Sequence, residues 1–169
     1  MKELQNLKTV ELNAGLIFSG KKSSKTVTGY AKASSFTPKE DGNYIFHESS
    51  RDVIVWFMGS NSDPLYLFGP TDSGKTSLIK QLVAKLNYSA FEITGHSRLE
   101  FPDMIGHLSV IKGSMEFQYG PLALAMKYGG MFLLNEIDLL DPATAAGLNT
   151  ILDGAPLCIP ENNGELIHP

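Results

Sequence analysis

PLYLFGPTDSGKTSLIKQLVAKLNY, residues 64–88, is the stretch on which the fold turns. PLYLF, 64–68, is a continuous apolar run bounded by turn signals and predicts a buried parallel strand. In SLIKQLVAKLNY, residues Leu78, Ile79, Leu82, Val83 and Leu86 fall at helical spacing. Between the two, Gly69, Pro70, Thr71, Asp72, Ser73, Gly74, Lys75 and Thr76 complete the pattern G-x-x-x-x-G-K-T. Strand, glycine loop and helix in that order make a phosphate cradle. Glycines let backbone N–H groups curl round phosphate oxygens, and the following helix presents its positive N-terminus. Lys75 can reach terminal phosphates, and the Thr76 hydroxyl can ligate magnesium.

Such a loop needs acidic partners, because a metal ion and an attacking water must be held near the terminal phosphate. MFLLNEID, 131–138, reads as a second buried strand ending in acids. Glu136 is the candidate to orient or deprotonate water; Asn135 and Asp138 are candidates for the magnesium shell together with Thr76. An apolar strand closed by an acid also serves as an ordinary surface cap, and the loop upstream is what favours the nucleotide reading.

Working outward, AFEIT (90–94) predicts another strand, and a small helix follows near Pro102–Ile105. HLSVIKGSMEFQYG predicts a hairpin about Lys112 and Gly113. Pro121 opens a helix that Gly129 and Gly130 terminate, and Asp141 with Pro142 forms an N-cap and first helical residue for PATAAGLNTILDG. LCIP and ELIHP, flanking 161–164, signal a closing hairpin. On the N-terminal side, Ser49 or Ser50 caps a short helix RDVIVWFM, which Gly59 and the turn-rich SNSDP end. Strands alternating with helices imply an α/β domain with a parallel sheet. Residues 19–43, rich in Ser, Thr, Lys and Gly, read as a linker or loosely packed arm, and 4–18 as a short strand or helix. The division is therefore an arm over 1–43 and a domain over 44–169.

The 169-residue chain is 43% hydrophobic and long enough to bury a core without staples, which argues against overall disorder. Its formal net charge of -4, with only Arg51 and Arg98 as arginines, argues against a general nucleic-acid binder. One cysteine, Cys158, excludes an internal disulfide framework and fits a reducing cytoplasm. No run approaches the ~20 apolar residues of a spanning helix, so no membrane is expected.

GPTDSGKTSLIKQLVAKLN followed by MFLLNEIDLLDPATAAGLNTILDG resembles the AAA+ ATPases of the MoxR and cobaltochelatase CobS-like, dynein-related group, over residues 44–169. The resemblance implies a three-layer P-loop NTPase core, ATP and Mg2+ as ligands, and ATP hydrolysis by a homo-oligomeric ring that remodels a protein client or drives metal-cofactor insertion. It also implies that the hairpin at 108–119 is an insertion in the second family helix and that 157–167 is the hairpin before the sensor strand. The family's sheet order, 5-1-4-3-2, implies that the core is incomplete at the C-terminus, and the arginine with which ring ATPases complete a neighbour's site implies that this chain alone is no competent ATPase.

Three departures from the family pattern bear on activity. Asp72 stands where these loops often carry Gly; Asp tolerates φ > 0, but its charge faces phosphate. Asn135 removes a charge from the magnesium shell, so Asp at this position is expected to strengthen magnesium dependence. The sensor strand, arginine finger and lid are expected beyond 169. The alternative function is accordingly a non-hydrolysing nucleotide-binding or assembly subunit; a phosphotransferase would need an acceptor lid for which no segment stands out. His96, Arg98 and His107 are secondary candidates for substrate contact, against plain loop polarity. Tyr44, Ile45 and Phe46 are candidates to line an adenine pocket, against core anchoring, while Trp56 reads as packing.

Overall fold

A computed structural model of the chain describes residues 3–59 and 63–168. Residues 60–62 of the expected SNSDP turn and Pro169 of the closing ELIHP lie outside the described residues. The chain forms two units, 1–90 and 91–169.

In the first unit, β1 (Thr9–Asn13) and β2 (Thr26–Tyr30) pair antiparallel, with Thr9 opposite Tyr30. Between them, α1 (Ala14–Ser19) is capped by Asn13, whose side chain accepts from the Leu16 amide at 3.2 Å. Residues 4–18 thus contain both a strand and a helix, preceded by a 3-10 turn at Leu4–Asn6. Strand β2 corrects the linker reading of 19–43: TVTGY alternates, and Val27 is buried with Ala14 and Leu86 in one cluster. Further along the same stretch, Ser34 Oγ lies 2.7 Å from Ser89 Oγ, and Ala90 donates to the Phe36 carbonyl at 3.0 Å. Composition concealed this because the contacts use backbone and hydroxyl groups rather than bulk.

The helix α2 (Arg51–Met58) has Ser50 as its N-cap residue, but without a side-chain cap bond. Capping sits one turn earlier, where His47 accepts the Ser49 amide over the 3-10 turn Glu48–Ser50. The helix α3 (Lys75–Lys85) forms as its spacing predicts and buries Ile79, Leu82, Val83 and Ala84. At about 1.5–3 kcal/mol for each fully buried large aliphatic side chain, this face is the main anchor of the loop that precedes it.

The expected strand at 64–68 is not formed. Residues 64–68 are extended without forming a ladder, although Leu65 and Leu67 are half-buried while Tyr66 and Phe68 are exposed, as in a one-sided strand. Burial alternates along the segment, but a strand exists only through pairing, and β1 and β2 pair with each other.

The second unit carries the α/β organisation. From the boundary run β3 (Ala90–Thr94), α4 (Phe101–Ile105), the hairpin β4 (Gly106–Ile111) and β5 (Ser114–Tyr119), α5 (Pro121–Tyr128), β6 (Met131–Asn135), α6 (Pro142–Leu152), and the hairpin β7 (Leu157–Ile159) and β8 (Glu165–Ile167). β3 pairs with β6. Gly95, just past the C-terminal end of β3, donates to the carbonyl of Asn135 at the C-terminal end of β6, at 2.7 Å, so the two strands run parallel. Among the described residues, two apolar clusters lie in the unit. Met104, Leu99, Leu122, Leu140 and Leu148 join α4, α5 and α6; Ala123, Leu157, Ile159 and Ile167 seat the closing hairpin on α5. Both hairpins form as expected, the first turning at Lys112 and Gly113, each at positive φ.

Candidate functional site

The glycine loop and the acidic strand end fall in different units, and each is built by its own local rules. In the loop, Gly74 is the N-cap of α3 at φ 80°, ψ 13°, the left-handed conformation that a side chain resists, and a Cβ added there meets nothing within 4 Å. Asp72 adopts φ 60°, so it takes the positive φ that its residue type tolerates. Residues 69–74 are exposed, and Lys75 and Thr76 are half-buried.

The Lys75 ammonium folds back over the loop. Its Nζ donates to the Gly69 carbonyl at 3.0 Å and the Pro70 carbonyl at 2.8 Å, with Ser73 Oγ at 3.4 Å. A cation held on carbonyl dipoles at the mouth of a helix N-terminus is poised to exchange those acceptors for phosphate oxygens, which attract it more strongly. With its exposed backbone, positive helix end and an ammonium over the loop, the loop has the features that suit a phosphate group.

In the second unit, β6 stops at Asn135, three residues short of the expected MFLLNEID strand. Glu136 stands at φ 54°, ψ 44°, a left-handed backbone for a residue other than glycine, and opens the 3-10 turn Ile137–Leu139. That reversal terminates the ladder and leaves the Glu136 and Asp138 side chains exposed. Strain of this kind costs on the order of 1–3 kcal/mol and concentrates at functional positions. A tight contact with the neighbouring strand accompanies it: a Cβ on Gly95 would lie 2.5 Å from the Glu136 carbonyl oxygen. The half-buried Asn135 side chain donates through Nδ2 to Glu92 Oε1 on β3 at 2.7 Å.

Oxygen donors dominate the residues read as the metal shell, a hydroxyl at Thr76, an amide at Asn135 and a carboxylate at Asp138, which suits a hard cation such as magnesium. Among the described residues there is no group of three or more His, Cys, Asp and Glu that could hold a metal ion by themselves.

Of the secondary candidates, His96 and Trp56 make local hydrogen bonds, and Tyr44 and Phe46 meet other rings edge-on. His96 Nδ1 accepts the Arg98 amide at 3.2 Å and so shapes its own turn. His107 is exposed on β4. Tyr44 meets Phe46 edge-on at 5.2 Å and Phe46 meets Phe18 at 5.4 Å, while Ile45 is 86% exposed. Trp56 donates from Nε1 to the Asp63 carbonyl at 2.9 Å.

Two features escaped sequence reasoning. Glu92 was legible only as the lone acid inside AFEIT. A polar cluster of Tyr119, Lys127, Asn162 and Glu165 draws on three elements far apart in the chain and leaves no local pattern.

The family model for the AAA domain, dynein-related subfamily, matches residues 64–169, more than half of the chain. The chain therefore belongs to that family of nucleotide-binding AAA+ domains, with a P-loop NTPase α/β core. Among its relatives are midasin of Dictyostelium discoideum, 33% identical over 124 residues, and the denitrification regulatory protein NirQ of Stutzerimonas stutzeri, 30% identical over 105 residues. Protein NorQ of Paracoccus denitrificans (strain Pd 1222) is 26% identical over 97 residues. These alignments cover 72%, 62% and 57% of this chain, but only 2%, 38% and 36% of the respective relatives. The NirQ and NorQ matches agree with the MoxR-like resemblance drawn from the loop and the acidic strand. Among the described residues, no helix is long and apolar enough to cross a membrane.

Proposed function

We propose that this chain binds Mg2+ and ATP on loop 69–76, and that ATP hydrolysis in the assembled protein remodels a protein partner. The observation that carries the reading is the Lys75 ammonium resting on the Gly69 and Pro70 carbonyls, at 3.0 and 2.8 Å, over the N-terminus of α3. Lys75 and the loop amides bind and orient the terminal phosphates. Thr76, Asn135 and Asp138 would supply oxygen donors to magnesium, which when bound neutralises phosphate charge. Glu136, exposed at the turn after β6, takes a proton from the attacking water. Oligomerisation into a ring and location in the cytoplasm belong to the same proposal and rest on the family. Metal-cofactor insertion is an alternative use of the same hydrolysis.

The test is calorimetric titration of the chain with ATP in the presence and absence of Mg2+, beside phosphate release by the assembled protein. Magnesium-dependent binding and turnover are expected; no binding under either condition overturns the reading. A second reading, a nucleotide-binding subunit without hydrolysis, is favoured by one observation, the neutral Asn135 amide tied to Glu92. Binding without phosphate release by the assembled protein would select it.

A further inference from the structure

Asp72 puts an exposed carboxylate into the loop read as a phosphate cradle. It holds the third position of the tight turn 70–73, which the Ser73 amide closes on the Pro70 carbonyl at 3.4 Å, and its φ of 60° belongs to the region that turns reserve for Gly, Asn and Asp. Glycine would satisfy that backbone without a side chain; Asp satisfies it and adds a charge. Lys75, three residues on, does not cancel the charge. Its Nζ rests on the Gly69 and Pro70 carbonyls at 3.0 and 2.8 Å, with Ser73 Oγ at 3.4 Å, and passes over the carboxylate. Among the described residues, no ion pair or hydrogen bond engages the Asp72 side chain. The same contacts bound its reach. Asp72 adjoins Ser73, whose Oγ lies 3.4 Å from the ammonium, so the Asp72 Cα is within about 10 Å of that cation. This is comparable with the Debye length of about 10 Å at 0.1 M salt, so both charges act on a ligand held at Lys75.

We infer that Asp72 is a specificity-determining residue, which makes loop 69–76 select the magnesium complex of ATP over free ATP. The inference rests on the nucleotide reading above. Coulomb repulsion needs no contact and grows in proportion to the charge of the ligand. Free ATP carries about four negative charges near neutral pH and its magnesium complex about two, so one carboxylate repels the free form about twice as strongly. A loop with a neutral residue at 72 would draw the more highly charged free form harder, through Lys75 and the helix end alone. Asp72 takes that advantage away. The property is one of charge rather than shape, and Asn isolates it, because Asn has the same outline and tolerates the same positive φ.

The experiment titrates the full chain and its Asp72→Asn and Asp72→Gly variants with ATP by calorimetry, with Mg2+ and with a chelator, at low and at high salt. At low salt both variants should bind metal-free ATP about three- to tenfold more tightly than the parent and gain less for the magnesium complex, so that the preference for the complex falls. In 1 M salt, where the Debye length is about 3 Å, parent and variants should converge. The unfolding temperature of Asp72→Asn without nucleotide should match the parent, which separates the charge from the backbone. Equal gains for both forms of ATP, a gain in Asp72→Gly that Asp72→Asn lacks, or a difference that persists in high salt would overturn the inference while ATP binding stays intact. A loss of affinity for the magnesium complex in Asp72→Asn would also overturn it, and would make Asp72 a metal ligand instead. Failure of the parent and both variants to bind ATP under either condition would remove the nucleotide reading itself, and the inference with it.

Discussion

The Lys127 ammonium lies 4.1 Å from the centroid of the Tyr119 ring and donates to the hydroxyl of that same residue. It also pairs with Glu165, whose other oxygen accepts the Tyr119 hydroxyl at 2.6 Å, and Asn162 donates to both Tyr119 and Glu165. One lysine thus ties α5 to both hairpins of the second unit. Burial would raise the Glu165 carboxyl, but bonds from Lys127, Tyr119 and Asn162 outweigh it and hold the group below its ordinary value. Burial would lower the Lys127 ammonium, but bonds to Glu165 and Tyr119 raise it.

Glu165→Gln should cost about 1–2 kcal/mol, less than a fully buried charged hydrogen bond because the side chain is a quarter exposed. A depressed carboxyl contributes stability that is present above its ordinary value and lost as pH falls through the folded value. The gap in unfolding temperature between parent and variant should therefore hold from neutral pH to about 5 and close below about 4. On the alkaline side, the raised Lys127 contributes below its ordinary value and is lost as pH rises past the folded one. Thermal unfolding across pH checks both limits, and a gap independent of pH would remove the ion pair as its source.

Lys75→Ala should weaken ATP binding tenfold or more, since a charge-assisted contact to phosphate contributes about 1.5–3 kcal/mol. The unfolding temperature without nucleotide should move little, because the ammonium's present acceptors are exposed loop carbonyls. Calorimetry gives the affinity; equal values in parent and variant would sink the phosphate-loop assignment.

Glu136→Gln in the assembled protein should keep ATP binding and lose most turnover, because orienting water is separate from holding phosphate. Glu136→Gly should abolish turnover too, yet stabilise the chain by about 0.5–1 kcal/mol, since glycine takes φ 54° without strain. Persistent turnover in the first variant would move the role to Asp138, and a lower unfolding temperature in the second would show that the Glu136 side chain contributes more than its backbone costs.

Gly95→Ala should destabilise the second unit by about 1–3 kcal/mol, as its methyl group meets a backbone oxygen that cannot swing aside. The β3–β6 pair should loosen at its C-terminal end, and exchange of the backbone amide at position 95 should accelerate selectively. Parent-like protection there would contradict the close approach of the strands.

Local chemistry made most of the second unit legible. Asp141 before Pro142, glycine after helix α5 and alternation about Lys112–Gly113 act within a few residues, and their elements formed where these signals stand. The loop and α3 were legible for the same reason. What failed depended on partners distant in sequence. PLYLF has the composition of a strand but acquired no ladder, whereas TVTGY, inside a linker-like composition, acquired one through β1. The end of β6 was misjudged because no pattern signals that an acid adopts a left-handed backbone. At the candidate site, residue types could be read from the motif, but the partner of Asn135 needed the register of two strands.

The bridge among Tyr119, Lys127, Asn162 and Glu165 has a kinetic consequence. Each hairpin it joins closes over a short loop, on the microsecond scale typical of such elements. The bridge can close only after both hairpins and α5 exist, so it belongs to the native side of the folding barrier. Weakening it should leave the refolding rate almost unchanged and quicken unfolding, lowering the lifetime of the second unit rather than its speed of assembly.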